Sequence, residues 1–176
     1  CESNGCCWEA LDENSLTPWC FRANTYYDLT DLTQTAIGYR GKLHLTSGAT
    51  SQYGDDIAAL TMELLFEAKD YVRLRITDAS KQRWEVPASV VDRPQVLVAA
   101  PEASRLYDVK FTESPFSLVV SRKSDGSIVL ETDSSIVYKD QYLELTTKTD
   151  ASARTYGLGE STRMTHALPV GSTQTL

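Results

Sequence analysis

The stretch PFSLVVSRKSDGSIVLET, residues 115–132, carries the pattern that decides the fold of this chain. Two runs rich in apolar and β-branched residues flank Ser124, Asp125 and Gly126. An Asp-Gly pair between two such runs is a strong signal for a tight β-hairpin. The segment therefore predicts two neighbouring antiparallel strands.

The same period of two continues on both sides of this hairpin. Apolar residues alternate with polar ones in YRGKLHLT, YVRLRIT and QYLELTT, at residues 39–46, 71–77 and 141–147. The best helical candidate is DDIAALTMELLFEA, residues 55–68, but its later part, 61–66, also fits a strand, and we favour the strand. These short strands predict an all-β chain, a sandwich of antiparallel sheets. His44 is expected to be an exposed strand residue.

Length and charge limit the kinds of function. A chain of 176 residues can bury a core, and its net charge of −7 argues against a protein that reads a nucleic-acid backbone. No apolar stretch reaches the length that a membrane helix needs. The chain begins at Cys1 without a Met or a leader, so we expect that the start of the natural protein is missing.

The cysteines are confined to the first twenty residues, with the spacing Cys-x4-Cys-Cys-x12-Cys: Cys1, Cys6, Cys7 and Cys20. A zinc site usually needs a second spaced pair or nearby histidines, and His44 and His166 are distant in the sequence. The Cys-x-x-Cys pattern of a redox thiol is absent. The turn residues between the cysteines favour a disulfide-stapled minidomain from an oxidising compartment, and no metal or cofactor is predicted.

The cysteine region resembles a known module. GCCW and TPWCF, residues 5–8 and 17–21, look like the second half of a trefoil (P-type) domain. This resemblance implies a Cys1–Cys20 disulfide and partners for Cys6 and Cys7 upstream of residue 1 or on a separate peptide. It also makes Trp8 and Trp19 a candidate sugar platform, although two tryptophans that only cover disulfides would look the same.

The rest of the chain resembles a family of enzymes. RLRITDASKQRWEVP, PFSLVVSRKSDGSIVLET, YKDQYLELTT and YGLGE occur in the order found in glycoside hydrolase family 31 α-glucosidases, behind a trefoil. The resemblance implies a β-sandwich like that of galactose mutarotase. It divides the chain into a trefoil half (1–22), a linker (23–37) and an N-terminal β-sandwich (38–176) that ends just before the catalytic barrel. Residues 83–87 are expected to place Trp84 and Glu85 on opposite faces of a strand that Pro87 ends.

The resemblance implies a non-catalytic role for the chain itself. Family 31 enzymes are retaining glycosidases, with two carboxyl groups about 5–5.5 Å apart. In the family these groups lie on a (β/α)8 barrel, and its Trp-x-Asp-Met-Asn-Glu segment is absent from this sequence. The implied parent enzyme removes terminal α-1,4-linked glucose from maltose, maltooligosaccharides or starch. The barrel is the implied partner, in the same chain or as a separately processed one.

Two residues near the end of the chain are further candidates. Glu160, in YGLGE, is a candidate support for the rim of the substrate pocket, and His166 is a candidate sugar contact. A surface carboxylate and a solvated histidine are the alternatives. The implied location is the secretory pathway, extracellular or lysosomal to vacuolar. The alternative function is a secreted trefoil and β-sandwich module that binds glycans without catalysis.

Overall fold

A computed structural model describes residues 1–2, 6–10, 19–21, 24–47, 54–91 and 98–148, and the single residues Arg154, Tyr156, Ala167 and Leu168. These residues form ten strands and one short 3-10 turn, Glu102–Ser104. The strands are β1 Cys7–Trp8, β2 Cys20–Phe21, β3 Tyr26–Thr35, β4 Gly38–Ser47, β5 Ala59–Ala68, β6 Tyr71–Asp78, β7 Tyr107–Glu113, β8 Phe116–Arg122, β9 Ile128–Tyr138 and β10 Leu143–Lys148. No helix among the described residues has the length and apolar character to span a membrane.

Every ladder between these strands is antiparallel, as the sequence predicts. β1 pairs only with β2 in a small separate sheet. The other eight strands follow the order β6-β5-β4-β3-β9-β8-β7, and β10 pairs with β9. The all-β prediction is confirmed.

β9 joins the two halves of the large sheet. Its first residues pair with β8, its Ser135 pairs with Tyr26 of β3, and the stretch from Glu131 to Tyr138 pairs with β10. The halves β3–β6 and β7–β10 therefore meet through a single strand, so they can fold over one another.

One apolar core lies between these two halves. β5 shows the cleanest pattern, since every second residue from Leu60 to Phe66 is buried. The core draws on both halves: Tyr27, Leu29, Leu43, Leu60, Met62, Leu64, Phe66, Phe116, Leu118, Val120, Ile136 and Tyr138. Strands with alternating apolar residues pack their inner faces together, which is the sandwich that the sequence predicts.

The predicted hairpin forms between β8 and β9. Asp125 accepts a hydrogen bond from the backbone N–H of Ser127 at 2.9 Å, and Gly126 has φ of 71°. A side chain at that φ is strained, so glycine suits the turn. His44 lies exposed on β4, and residues 61–66 lie within strand β5 rather than a helix.

The expected linker, residues 23–37, is wrong, because Tyr26–Thr35 forms strand β3. The stretch is polar, but tyrosine and threonine favour strands. Its first half buries Tyr27 and Leu29, and its second half is mostly exposed and held by its pairing with β4. The register shifts between Thr30 and Thr33, where Asp31 has a positive φ of 53°, as in a β-bulge.

The strand expected around Trp84 is also wrong. β6 ends at Asp78, and residues 81–87 have no regular secondary structure. The Asp78 carboxylate accepts hydrogen bonds from the backbone N–H groups of Ser80 and Lys81, at 2.8 and 3.1 Å. Such a local turn competes with the strand ladder and ends it.

Candidate functional site

The first candidate is the disulfide-linked pair β1–β2. A disulfide joins Cys1 to Cys20, the pairing that the trefoil resemblance implies. Trp8 lies opposite Cys20 in the ladder, and its ring meets that of Trp19 edge to face, with centroids 6.2 Å apart. Both rings are substantially exposed. The structure therefore brings the two predicted tryptophans together on the surface of this small unit.

A metal at this unit is not supported by the donor chemistry. The sulfur atoms of Cys1, Cys6 and Cys20 lie within 4.8 Å of one another. Two of these sulfurs are bonded to each other, and zinc binds thiolates rather than disulfides. Cys6 and Cys7 are thiols here, and Cys7 is exposed. The upstream partners implied for both remain a prediction.

The second candidate is an open cleft of about 550 Å³ beside the end of β6. Arg75 to Glu85 form most of its wall, and Tyr138 and Leu143 complete it. Trp84 is 81% exposed in this cleft. The cleft thus brings a large aromatic surface next to the charged groups of residues 75–85, with Tyr138 and Leu143 at its other side.

Both neighbours of Trp84 are held by the sheet. The guanidinium of Arg83 lies over the Tyr138 ring, 4.6 Å from its centroid, and donates a hydrogen bond to the Lys139 carbonyl. Glu85 accepts from Arg75 at 2.7 Å, and this bond is the main cause that raises the pKa of Arg75. Because the residues on either side are fastened to β6 and the end of β9, the backbone at Trp84 is held beside the cleft.

The end of β9 that supports Arg83 is itself anchored in the interior. Lys139 forms an ion pair with Asp56, and Tyr138 lies in the core. The floor of the cleft is therefore anchored to the buried core. The sequence pattern did not predict this cleft. Among the wall residues that follow β6, it predicted a particular position only for Trp84 and its neighbour Glu85.

The shifted carboxyl groups among the described residues are all more acidic than usual. The side-chain hydrogen bond from Lys42 lowers the pKa of Asp31. Backbone hydrogen bonds from Ser80 and from Ser127 lower the pKa values of Asp78 and Asp125, respectively. A lowered pKa keeps a carboxyl ionised, which is the opposite of what a general acid needs.

The two late candidates, Glu160 and His166, lie outside the described residues. Their suggested contacts with a substrate pocket therefore remain predictions.

Comparison with known proteins gives relatives along most of the chain. No protein-family model matches. The chain is 38% identical over 162 residues to intestinal sucrase-isomaltase of Suncus murinus, covering 91% of this chain and 9% of that protein. It is 36% identical over 168 residues to lysosomal alpha-glucosidase of Mus musculus, covering 91% and 17%. A probable alpha-glucosidase of Oryza sativa subsp. japonica is 32% identical over 166 residues, covering 85% and 19%. The chain thus spans less than a fifth of the length of these relatives.

Proposed function

We propose a function for this chain on the basis of its relatives. About nine tenths of its length is related to a segment of the family 31 α-glucosidases. In this proposal it is the N-terminal, non-catalytic part of such an enzyme. Residues 1–22 are the trefoil half, and the β-sandwich domain that follows includes strand β3, whose Tyr27 and Leu29 lie in the core. The whole enzyme removes terminal α-1,4-linked glucose from maltose, maltooligosaccharides or starch, with retention of configuration.

One observation carries this proposal. The alignments cover 84–91% of this chain but only 8–19% of each relative. A chain that matches so small a share of an α-glucosidase is best explained as one of its domains, so the remainder of the enzyme supplies the catalytic barrel.

The chemistry of the cleft agrees with a supporting role. A retaining glycosidase needs two carboxyl groups about 5–5.5 Å apart, one of them able to give up a proton near neutral pH. In the cleft, Glu85 is ion-paired with Arg75 at 2.7 Å, and the same guanidinium also holds Glu63 at 3.3 Å. Both carboxylates are already engaged by one guanidinium, which suits a structural role.

The partner in this proposal is the barrel, and the segment's role is to support it and to shape one wall of its pocket. The barrel can lie in the same chain or in a processed chain that stays bound, because cleavage in an exposed loop leaves a large interface intact. The names of the relatives include an intestinal and a lysosomal enzyme, which supports a route through the secretory pathway.

The test combines two measurements. The first is an assay of purified residues 1–176 for hydrolysis of maltose. The second is the intact mass of the natural protein, measured with and without reductant. We expect no turnover by the isolated chain. We expect activity wherever it co-purifies with, or is continuous with, a barrel-sized polypeptide. Hydrolysis of maltose by the isolated chain would contradict the proposal.

A second candidate function is glycan binding by the trefoil half. The observation that favours it is the exposed, edge-to-face pair of Trp8 and Trp19. The C–H face of a glucose ring can stack on such an aromatic surface. Titration of the isolated chain with maltoheptaose, followed by tryptophan fluorescence, tests it. Saturable binding that is lost in Trp19→Ala but kept in Trp84→Ala would favour this function.

A further inference from the structure

We infer that the surface around Trp84 is where this segment docks onto the remainder of its own α-glucosidase; the inference rests on the function proposed above. We call this surface the Trp84 face and define it as Trp84, Leu143 and Leu145 with the polar residues around them. Leu143 lines the same cleft as Trp84. Leu145 lies two positions further along β10 and therefore on the same side of that strand.

The apolar residues of the Trp84 face are much more exposed than their types usually are. Trp84 is 81% exposed, Leu143 60% and Leu145 47%. Single exposed apolar side chains are common on proteins, but neighbouring ones that include a tryptophan mark interaction surfaces. Tryptophan is also the residue most enriched among those that dominate protein interfaces.

The residues on both sides of Trp84 are fixed by contacts with the sheet. Arg83 is held by the Tyr138 ring and the Lys139 carbonyl, and Glu85 is held by Arg75. With both neighbours fastened to the sheet, the backbone at Trp84 is held in place. A segment held in this way loses less conformational entropy when a partner covers it than a loose loop would.

The surroundings of Trp84 match the usual anatomy of a protein interface. The charged residues Arg75, Asp78, Lys81 and Glu85 line the same cleft as the indole. Interfaces commonly place an apolar anchor at the centre and a polar, solvated rim outside it.

The occupant is better identified as protein than as sugar. A sugar site needs polar side chains that are available to its hydroxyl groups. Here Arg75 already binds Glu63 and Glu85, and the Asp78 carboxylate already accepts from Ser80 and Lys81. Since Arg75, Asp78 and Glu85 are already engaged, the exposed surface of Trp84 and Leu143 is the main feature that the cleft offers to a partner. More than four fifths of each relative's length lies outside the matched segment, and that remainder is the occupant to which we commit.

The test is hydroxyl-radical footprinting of the whole α-glucosidase that carries this chain, read residue by residue by mass spectrometry. We expect Trp84 and Leu143 to be labelled at least about tenfold more slowly than their exposure in this structure implies. The matched control is Ile128, which is 59% exposed. It lies at the other end of β9 from Tyr138, about 33 Å away at about 3.3 Å per residue.

The outcomes separate this inference from the proposed function. Protection of Trp84 and Leu143 with Ile128 still reactive supports the inference. Protection of another exposed residue, such as Tyr71, with Trp84 still reactive would show docking through a different face, so the inference alone would fail. If none of these side chains is protected in the whole enzyme, the inference fails, whereas the proposed function is decided separately by the maltose assay of the isolated chain. Protection of Trp84 that appears only after maltoheptaose is added would identify a sugar site and overturn the docking inference.

A second readout uses variants of the whole enzyme. Trp84→Ala should shorten the half-life of α-glucosidase activity on heating at least about threefold, whereas Ile128→Ala should leave it unchanged. Trp84→Phe, which keeps an aromatic ring, should recover part of the loss. Equal half-lives for Trp84→Ala and the unaltered enzyme would contradict docking at this face.

Discussion

Lys139 and Asp56 form an ion pair in the interior, with Nζ and Oδ2 3.0 Å apart and side chains only 3% and 2% exposed. The same two residues also form an isolated antiparallel backbone bridge. The pair therefore fastens the segment before β5 to the end of β9. Burial, and then the charge of Asp56, raise the pKa of the nearby Tyr27, whose hydroxyl donates to the Ile57 carbonyl at 2.8 Å.

Removal of one partner of this pair should be costly. In Lys139→Met the Asp56 carboxylate would stay buried without its cation, and we expect a loss of about 3–5 kcal/mol in the free energy of unfolding. Urea unfolding followed by circular dichroism measures this. The control is Lys42→Met, which removes a 2.8 Å pair with Asp31 on the surface, where solvent screens both charges and the loss should be small. Equal losses of unfolding free energy in the two variants would contradict a larger contribution from the buried pair.

Gly38 should not tolerate a side chain. A Cβ at this position would lie 1.9 Å from the Leu64 carbonyl oxygen, and Gly38 has φ of 154°. Since the clash is with the backbone of the paired strand β5, Gly38→Ala should cost more than about 4 kcal/mol or prevent folding.

The matched variant for this test is Gly126→Ala. Gly126 also has a positive φ, 71°, but a Cβ there meets no atom within 4 Å. Its cost should be that of the backbone conformation alone, about 1–2 kcal/mol. Thermal unfolding of both variants separates close approach from conformational strain; similar melting temperatures would count against the clash.

The Cys1–Cys20 disulfide should stabilise β1–β2 and leave the sandwich largely unaffected. The cysteines are 19 positions apart, and closing such a loop contributes about 3 kcal/mol in the chain-entropy model. Cys20→Ser should remove the near-ultraviolet circular dichroism signal of the Trp8–Trp19 pair, while the main unfolding transition stays in place. Cys7→Ser, which alters an exposed thiol, serves as the control. A large shift of the main transition in Cys20→Ser would mean that the two parts unfold together.

The β8–β9 turn should lose stability in acid. The backbone hydrogen bond from Ser127 lowers the pKa of Asp125 in the folded chain. A carboxyl with a depressed folded pKa contributes stability above its unfolded pKa of about 4, and this is lost as pH falls through the folded value. Asp125→Asn should therefore flatten the fall in unfolding free energy below about pH 4. Urea midpoints measured from pH 5 downward would test this, since parallel curves for both proteins would contradict it.

The strands with one apolar and one polar face could be predicted from sequence. In β5 the alternation that places Leu60, Met62 and Leu64 on one face is the same alternation that buries them. β3 could not be found this way, because only its first half is buried and the rest is held by backbone pairing with β4. Backbone pairing leaves no pattern in the side chains, so a polar strand looks like a linker.

The two candidate sites also differ in how far they could be predicted from the sequence. The Cys1–Cys20 pairing and the closeness of Trp8 and Trp19 followed from resemblance to a module, and both pairs are local in sequence. The Trp84 cleft depends on Arg83 reaching the Lys139 carbonyl, 56 positions away. Its form is set by how the segment after β6 lies against the end of β9, and only the folded chain contains that information.

The position of β9 in the sheet also bears on the order of events during synthesis. Ser135 pairs with Tyr26, about 110 residues earlier in the chain. At about 5–20 residues per second, a ribosome needs several seconds to make the residues between them. β3 to β6 can pair with their neighbours during that time, but the strands that cover their apolar face have not yet been translated. Each nascent chain therefore offers Leu60, Met62 and Leu64 to water before it can close, which is the interval in which a chaperone would be needed.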